Sequence, residues 1–165
     1  MIAFNIGNAR FNYRVAGVAL HDDRVLLHYA PEDDFWFLPG GRCEILESSA
    51  DTLRREMREE LGVDVEIKRL LWVVENFFTW VDGTPFHELS FYYLVAIPPE
   101  SSLHMHIGVF VGSEDANFRW YRLDELEGMR VQPAFLREGL RSLPDTIQHI
   151  VNIDSKEDDS RVTPS

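Results

Sequence analysis

Cysteine is nearly absent from this chain. Cys43 is the only one in 165 residues, so an internal disulfide is impossible, and the usage fits a reducing cytoplasm. Long apolar runs are missing too: no stretch reaches the roughly 18 residues of a spanning helix. The start, MIAFNIGNARFNYR, lacks a basic region followed by an apolar block, so the expectation is a soluble, unexported protein that stays in the cytoplasm. Positive charge is scarce. The 16 Lys and Arg residues against 28 Asp and Glu leave a formal net charge of −12. Sequence-independent binding to nucleic acid or to an anionic membrane depends on dense Lys and Arg, and neither is expected here. No internal repeat and no domain linker is visible.

What is present suffices for one domain. With 45% hydrophobic residues over 165 positions, a single core is expected in residues 1–153, followed by a polar, charged and mobile tail at 154–165. Phe11 to Leu20 and Arg24 to Tyr29 read as a hairpin turning at His21-Asp22-Asp23. Phe35 to Leu38 reads as a short strand stopped by Pro39, with Gly40-Gly41 opening a loop. A helix is expected over about Ser48 to Leu61, with Ser48 as N-cap, Asp51 in a capping-box position and Gly62 as the stop. Its apolar stripe is Ala50, Leu53, Met57 and Leu61. Val65 to Trp80 and Pro85 to Ala96 read as a long hairpin turning at Asp82-Gly83. Residues 97–116 carry weak signals, with strand character at His104 to Val111, and Phe118 to Tyr121 reads as strand. Pro133 to Leu143 reads as a helix, with Phe135, Leu136 and Leu140 on one face.

The chemistry gathers near the end of the first helix. Glu56, Glu59 and Glu60 stand at i, i+3 and i+4, so three carboxylates crowd one side of its last turns, at the negative end of the helix dipole. Arg54, Arg55 and Arg58 offset part of the repulsion, but such pairs contribute only about 0.2–0.5 kcal/mol each. A solvated acidic face is the plain reading of such a trio. A bound divalent cation is the stronger compensator, and magnesium takes hard oxygen ligands supplemented by water and substrate phosphates.

Spacing decides between the two. Gly41, five residues, Glu47, seven residues and then Arg55-Glu56-Met57-Arg58-Glu59-Glu60-Leu61-Gly62-Val63 resemble the Nudix box at every defined position. Trp36-Phe37-Leu38-Pro39-Gly40 leads into the box, and Trp120 with Leu123-Asp124-Glu125-Leu126 is similar to the family's late segment. One departure is Leu46, where many members have glycine, so a different loop path is expected there. The resemblance implies an α/β fold, an α/β/α sandwich with a mixed β-sheet and a loop-helix catalytic box. It also implies hydrolysis of nucleoside diphosphates linked to another moiety, with magnesium or manganese.

Carried over by position, the metal site implied by the resemblance is the Gly40 carbonyl with Glu56, Glu59 and Glu60. Glu59 or a downstream glutamate would handle the attacking water, because the base varies across the family. Glu47 and Arg55 are expected to brace the loop against the helix by a charge-assisted hydrogen bond, with direct catalysis the lesser reading. Glu88 interrupts an apolar strand run, and an inward turn would aim it at the metal helix as base or ligand; an outward strand position is the alternative. Arg14 is a candidate to hold a phosphate, against an exposed edge charge. Glu75 is less favoured. His87, and His104 with His106 from one strand face, could bind metal, but two histidines alone are incomplete ligands and all three read as solvated or structural, while Cys43 reads as a bystander thiol. Trp36, Phe77, Trp80 and Phe86 are open as base-stacking candidates, any of which could equally fill the core.

The leading expectation is therefore a metal-dependent phosphoanhydride hydrolase acting on a small nucleotide or related diphosphate. The alternative is a nonhydrolysing Nudix-like module that binds a nucleotide or ADP-ribose and regulates a partner. Isomerase chemistry on an isoprenoid diphosphate is a third class, which the lone Cys43 does not resemble. Phe77-Phe78-Thr79-Trp80, beyond the box, offers neither the proline of ADP-ribose enzymes nor the tyrosine of dinucleoside polyphosphate enzymes, and no coenzyme A signature is visible. Substrate and oligomeric state stay open; the long hairpin is a surface suited to a symmetric homodimer.

Overall fold

In the computed structural model, which describes residues 1–154, the fold is organised around one long strand. The strands are β1 (Ala3–Ile6), β2 (Ala9–His21), β3 (Arg24–Ala30), β4 (Phe35–Phe37), β5 (Gly40–Arg42), β6 (Glu66–Thr79), β7 (Pro85–Ala96), β8 (Phe110–Val111), β9 (Asn117–Arg122) and β10 (Gln148–Ile153). The α-helices are α1 (Ser49–Leu61) and the single turn α2 (Leu136–Gly139). The main path of the sheet runs β10-β6-β7-β2-β3-β9-β8 and is mixed: β2 with β7 and β6 with β10 are parallel, while its other pairs are antiparallel.

One edge of β2 is filled by β7 from Arg10 to Ala19. Its other edge is shared in succession: β1 pairs with Ala9 to Asn12, β5 with Arg14 to Ala16, and β3 with Leu20 and His21. Gly40 and Gly41 therefore form a short strand rather than the expected loop. The reason is steric, since a Cβ on Gly40 would overlap the Val15 carbonyl oxygen and Ala16 Cα, so only glycine lets β5 close on β2.

The two faces of the sheet carry separate cores. Val15, Ala19, Leu53, Met57, Val95 and Phe118 form one, under α1; Ala16, Val18, Trp72, Val74, Tyr92, Leu126, Leu136 and Leu140 form the other. Burying Leu53 and Met57 contributes about 1.5–3 kcal/mol each and fixes how α1 is rotated. The helix begins and ends as its sequence implies, with Ser48 Oγ accepting from Asp51 N at 3.1 Å and Gly62 in the left-handed conformation. Its buried residues are Ser49, Thr52, Leu53 and Met57, so the stripe lies nearer Thr52 than the expected Ala50 and Leu61. The Ser49 hydroxyl meets the Tyr93 hydroxyl at 2.7 Å, which makes that rotation affordable for a polar residue.

Other expectations shift. Pro133 to Leu143 holds only one α turn, flanked by tighter bonds such as Leu136 N to Pro133 O and Arg141 N to Glu138 O. Gly139, a poor helix former, packs under the Trp72 ring there. His104 to Val111 is not one strand: Ser102–Met105 is a 3-10 turn and only β8 is extended. β1 and β10 were not anticipated. The tail at 155–165 lies outside the described residues.

Leu46 has a φ of 66° and a fully exposed side chain. The glycine-to-leucine difference is thus absorbed as left-handed backbone strain, and no burial is gained in return. Leu46→Gly should stabilise the protein by about 1 kcal/mol, raising Tm by roughly 2–4 °C. Thermal melts check it, and a lower Tm would mean that the greater unfolded-chain freedom of glycine outweighs the strain relieved at Leu46.

Candidate active site

The last turns of α1 lie beside β5 because Leu53 and Met57 are sunk into the sheet. Glu56 then falls directly over Gly41, where a Cβ would overlap its carboxyl group. A side chain at 41 would therefore displace Glu56, which explains glycine at that position.

Arg55 organises the acids around it. Its Nε donates to Glu47 Oε1 at 2.9 Å and Nη2 to Glu47 Oε2 at 3.1 Å, a two-pronged pair that Thr52 Oγ1 joins at 2.8 Å. Its Nη1 donates to Glu56 Oε1 at 2.8 Å and to Glu59 Oε2 at 3.1 Å. The Arg55 hydrogen bonds, with help from Thr52, hold the Glu47 carboxyl down at about 2, and Arg55 in return is held firmly charged. The loop before α1 is thus tied to the helix through Glu47.

Glu56 and Glu60 are less well served. Burial raises Glu56, opposed by Arg55. Glu60 is pushed up to about 7, first by burial and then by the neighbouring Glu56 charge. Its Oε2 is the only glutamate oxygen among the described residues that is buried without a hydrogen-bond partner. Glu59, with 59% of its side chain exposed, faces solvent. Among the described residues, no three His, Cys, Asp or Glu side chains converge closely enough to hold a metal ion by themselves. The unpartnered Glu60 oxygen nevertheless fits a hard cation whose remaining ligands come from backbone carbonyl, water or phosphate, the coordination magnesium favours.

The other face of the sheet carries a cavity of about 710 Å³. Arg14 lines it, lying over the Phe37 ring at 5.1 Å and donating to the Leu38 carbonyl at 3.2 Å. Its charge also acts on Glu56 and Glu60, lowering both. Glu88 requires a correction. The register of β7 is unbroken from Phe86 to Val95 against β2, so Glu88 shares a face with Ser90 and Tyr92, whereas Tyr93 and Val95 meet the α1 side. It points into the cavity and away from α1, where Ser90 Oγ donates to its Oε1 at 3.1 Å.

The remaining candidates have structural partners. Glu75 pairs with His149 at 2.7 Å, and His87 stacks on Phe77. His104 and His106 share no strand face: His104 stacks on His21 and His106 on Phe110. Cys43 is buried, and burial raises its thiol, the wrong direction for a nucleophile. Trp36 is in the core and Phe77 faces away from the cavity, while Trp80 and Phe86 line it. Arg10, Arg42, Asn12 and Asn76 escaped the sequence reading, although Arg10, Asn12 and Arg14 alternate on one strand as residues of one face must.

The NUDIX domain family matches residues 11–143, most of the chain, including Arg14, Gly40, Glu47, Glu88 and the acids of α1. The chain belongs to the Nudix family. YjhB of Bacillus subtilis is 37% identical over 73 residues, 44% of this chain and 35% of that protein. YvcI, an uncharacterized Nudix hydrolase of the same organism, is 28% identical over 112 residues, 68% of this chain and 66% of that protein. The matches thus span between about a third and two thirds of the length of these two relatives. A solved ADP-ribose pyrophosphatase from Streptococcus suis shares the Nudix fold, with a TM-score of 0.54 at 20% identity over 86% of this chain and 98% of that one.

The Glu60 environment has a measurable consequence in metal-free protein. Its carboxyl titrates near 7 when folded against 4.5 unfolded, so the folded state alone keeps the proton between those values and stability falls as pH rises through them. His28, held down at about 4 by burial against 6.5 unfolded, works in the opposite sense, so the comparison must be made between variants. In EDTA, Glu60→Gln should gain on the parent by on the order of 2 kcal/mol between pH 5 and pH 8 in denaturant titrations. Parallel stability profiles would show that Glu60 is well solvated.

Proposed function

We propose that this protein is a divalent-metal-dependent hydrolase that cleaves a phosphoanhydride bond in a nucleoside diphosphate linked to another moiety, with water attacking phosphorus. The observation that carries the reading is the partnerless, buried Glu60 oxygen beside Glu56, an electrostatic deficit that a cation relieves. Family membership and the fold shared with a pyrophosphatase support the same class.

On this reading, the Gly40 carbonyl, Glu56, Glu59 and Glu60 hold magnesium or manganese. Such an ion would supply Lewis-acid stabilisation of the developing phosphoryl charge. Arg55 and Glu47 keep the loop and helix in register, so that Glu56 stays over Gly41. Arg14, already anchored by the Leu38 carbonyl, presents its guanidinium to a phosphoryl oxygen. On the same reading Glu59, more exposed than Glu56, orients the attacking water. The single buried thiol fits a cytoplasmic setting, and among the described residues no helix is long and apolar enough to cross a membrane.

A nonhydrolysing nucleotide-binding module is the second reading. It is favoured by one observation, that Arg55 already occupies oxygens of Glu56 and Glu59. Turnover separates the two. With magnesium and a panel of nucleotide sugars, ADP-ribose, nucleoside triphosphates and dinucleoside polyphosphates, Glu59→Gln and Glu60→Gln should each lose at least about a hundredfold in kcat while remaining folded. Binding without product in the wild type would favour the regulatory module.

Magnesium should also raise the Tm of the wild type through preferential binding to the folded state, and by less in Glu56→Gln and Glu60→Gln. Equal shifts in all three proteins would place the ion elsewhere.

A further inference from the structure

The cavity floor is ordered in rows. Strand registers align Phe78, Phe86 and Arg10 across β6, β7 and β2; then Asn76, Glu88 and Asn12; then Val74, Ser90 and Arg14, which Arg42 of β5 extends. Successive rows lie two residues apart, about 6.5–6.8 Å. Read from β5 outward, the cavity therefore offers guanidinium groups, then buried amides and a carboxylate, then aromatic rings.

Each row selects a chemistry. Arg14 and Arg42 form no ion pair within 4 Å among the described residues, and burial together with repulsion from Arg10 and Arg14 lowers Arg42 against the pull of Glu88, so this end of the cavity calls for an anion. At the far end Phe78 and Phe86 stack at 4.9 Å, with Trp80 at 5.6 Å from Phe86, an aromatic ledge that suits a planar ring. Between them Glu88 is 7% exposed and lines the cavity. Ser90 occupies its Oε1, and Oε2 faces no described donor but is not sealed from the cavity as Glu60 Oε2 is sealed. Asn152 Nδ2 donates to Asn76 Oδ1 at 2.8 Å, fixing the amide next to Glu88.

An ionised carboxylate only accepts, so its ligand must supply donors. A free cation is disfavoured beside three arginines, and a carboxylate would repel a second phosphate. A neutral group bearing hydroxyls, one row from the phosphates and one row from the stacked ring, meets both constraints. Dinucleotide-binding folds use an acidic side chain on ribose hydroxyls for the same reason.

We propose that Glu88 is the sugar-reading residue of this cavity, accepting hydrogen bonds from the ribose hydroxyls of a ribonucleotide whose phosphates lie on Arg14 and Arg42 and whose base lies on the Phe78, Trp80 and Phe86 ledge. This rests on the hydrolase reading for where the phosphates go, and it replaces the expected role of Glu88 in water activation with one in substrate selection. The sugar–carboxylate bond forms in the ground state and persists through reaction, so its loss is read in affinity and in kcat/KM.

The test compares ribonucleoside diphosphates with their 2′-deoxy and 3′-deoxy counterparts, for each of the four common bases, by calorimetry in EDTA and by hydrolysis in magnesium. The ribonucleotide should bind about tenfold or more tightly than at least one deoxy counterpart, the span of a charge-assisted hydrogen bond. Glu88→Gln should narrow that ratio to within about threefold. If that variant does not fold, Glu88→Asp, which keeps the charge but withdraws it by one methylene, should narrow it in the same direction. Equal affinities in the wild type, a deoxy preference, no nucleotide binding, or a ratio that survives in the folded variant overturns the assignment. Hydrolysis with no sugar preference defeats only the role of Glu88; failure to hydrolyse any diphosphate, alongside an intact sugar preference in EDTA, defeats only the hydrolase reading.

Discussion

The structure depends on how β2 divides its outer edge. A thirteen-residue strand that gave this edge to one partner would make a continuous sheet with no opening. Here β1, β5 and β3 each take a part, and β5 can sit between the others only because Gly40 carries no side chain. Among the described residues β5 has β2 as its sole strand neighbour, with Gly41 under the Glu56 carboxyl and Arg42 lining the cavity. Backbone packing thus creates the site before any charged residue contributes to it.

Arg55 then governs the balance of charge. It satisfies Glu47 fully and Glu56 and Glu59 in part, but none of these bonds goes to Glu60, whose second oxygen is left buried and unpaired. An arginine placed to neutralise all of the acids would make a stable surface network and leave nothing for a cation. The residual deficit on Glu60 separates this helix from an ordinary salt-bridged face, where exposed pairs are worth about 0–1 kcal/mol.

Legibility followed the range of the interactions. The caps of α1, the turn at Asp82-Gly83 and the box spacing are local, and Ser48, Gly62 and the β6–β7 hairpin stand where the sequence places them. β10 was invisible because Gln148 to Ile153 is half polar and becomes strand only by parallel pairing with a partner 76 residues away. The short α2 failed for the converse reason, since periodicity reports which residues face the core, and Phe135, Leu136 and Leu140 do, without reporting how many turns are wound. Within the site, the Arg55–Glu47 contact follows from spacing along one loop and helix. The direction of Glu88 depends on the parity of a strand, where an error of one residue exchanges the two faces.

The two charge surpluses also explain how a protein of net charge −12 can attract an anion. Glu56 and Glu60 leave negative charge on the α1 side of β5, while Arg14 and Arg42 concentrate positive charge at the β5 end of a cavity whose lining elsewhere includes Asp33, Asp82, Glu88 and Asp154, and apart from the influence of Arg14 the sheet keeps the two from neutralising each other. A dication alone would relieve the acids and add to the field already repelling Arg42. A diphosphate alone would do the reverse. Bound together across β5, each relieves the strain the other meets, so their affinities must be coupled with the same factor in both directions. The separation of charge across one short strand therefore favours the metal–diphosphate pair over either component, and it does so without any change of fold.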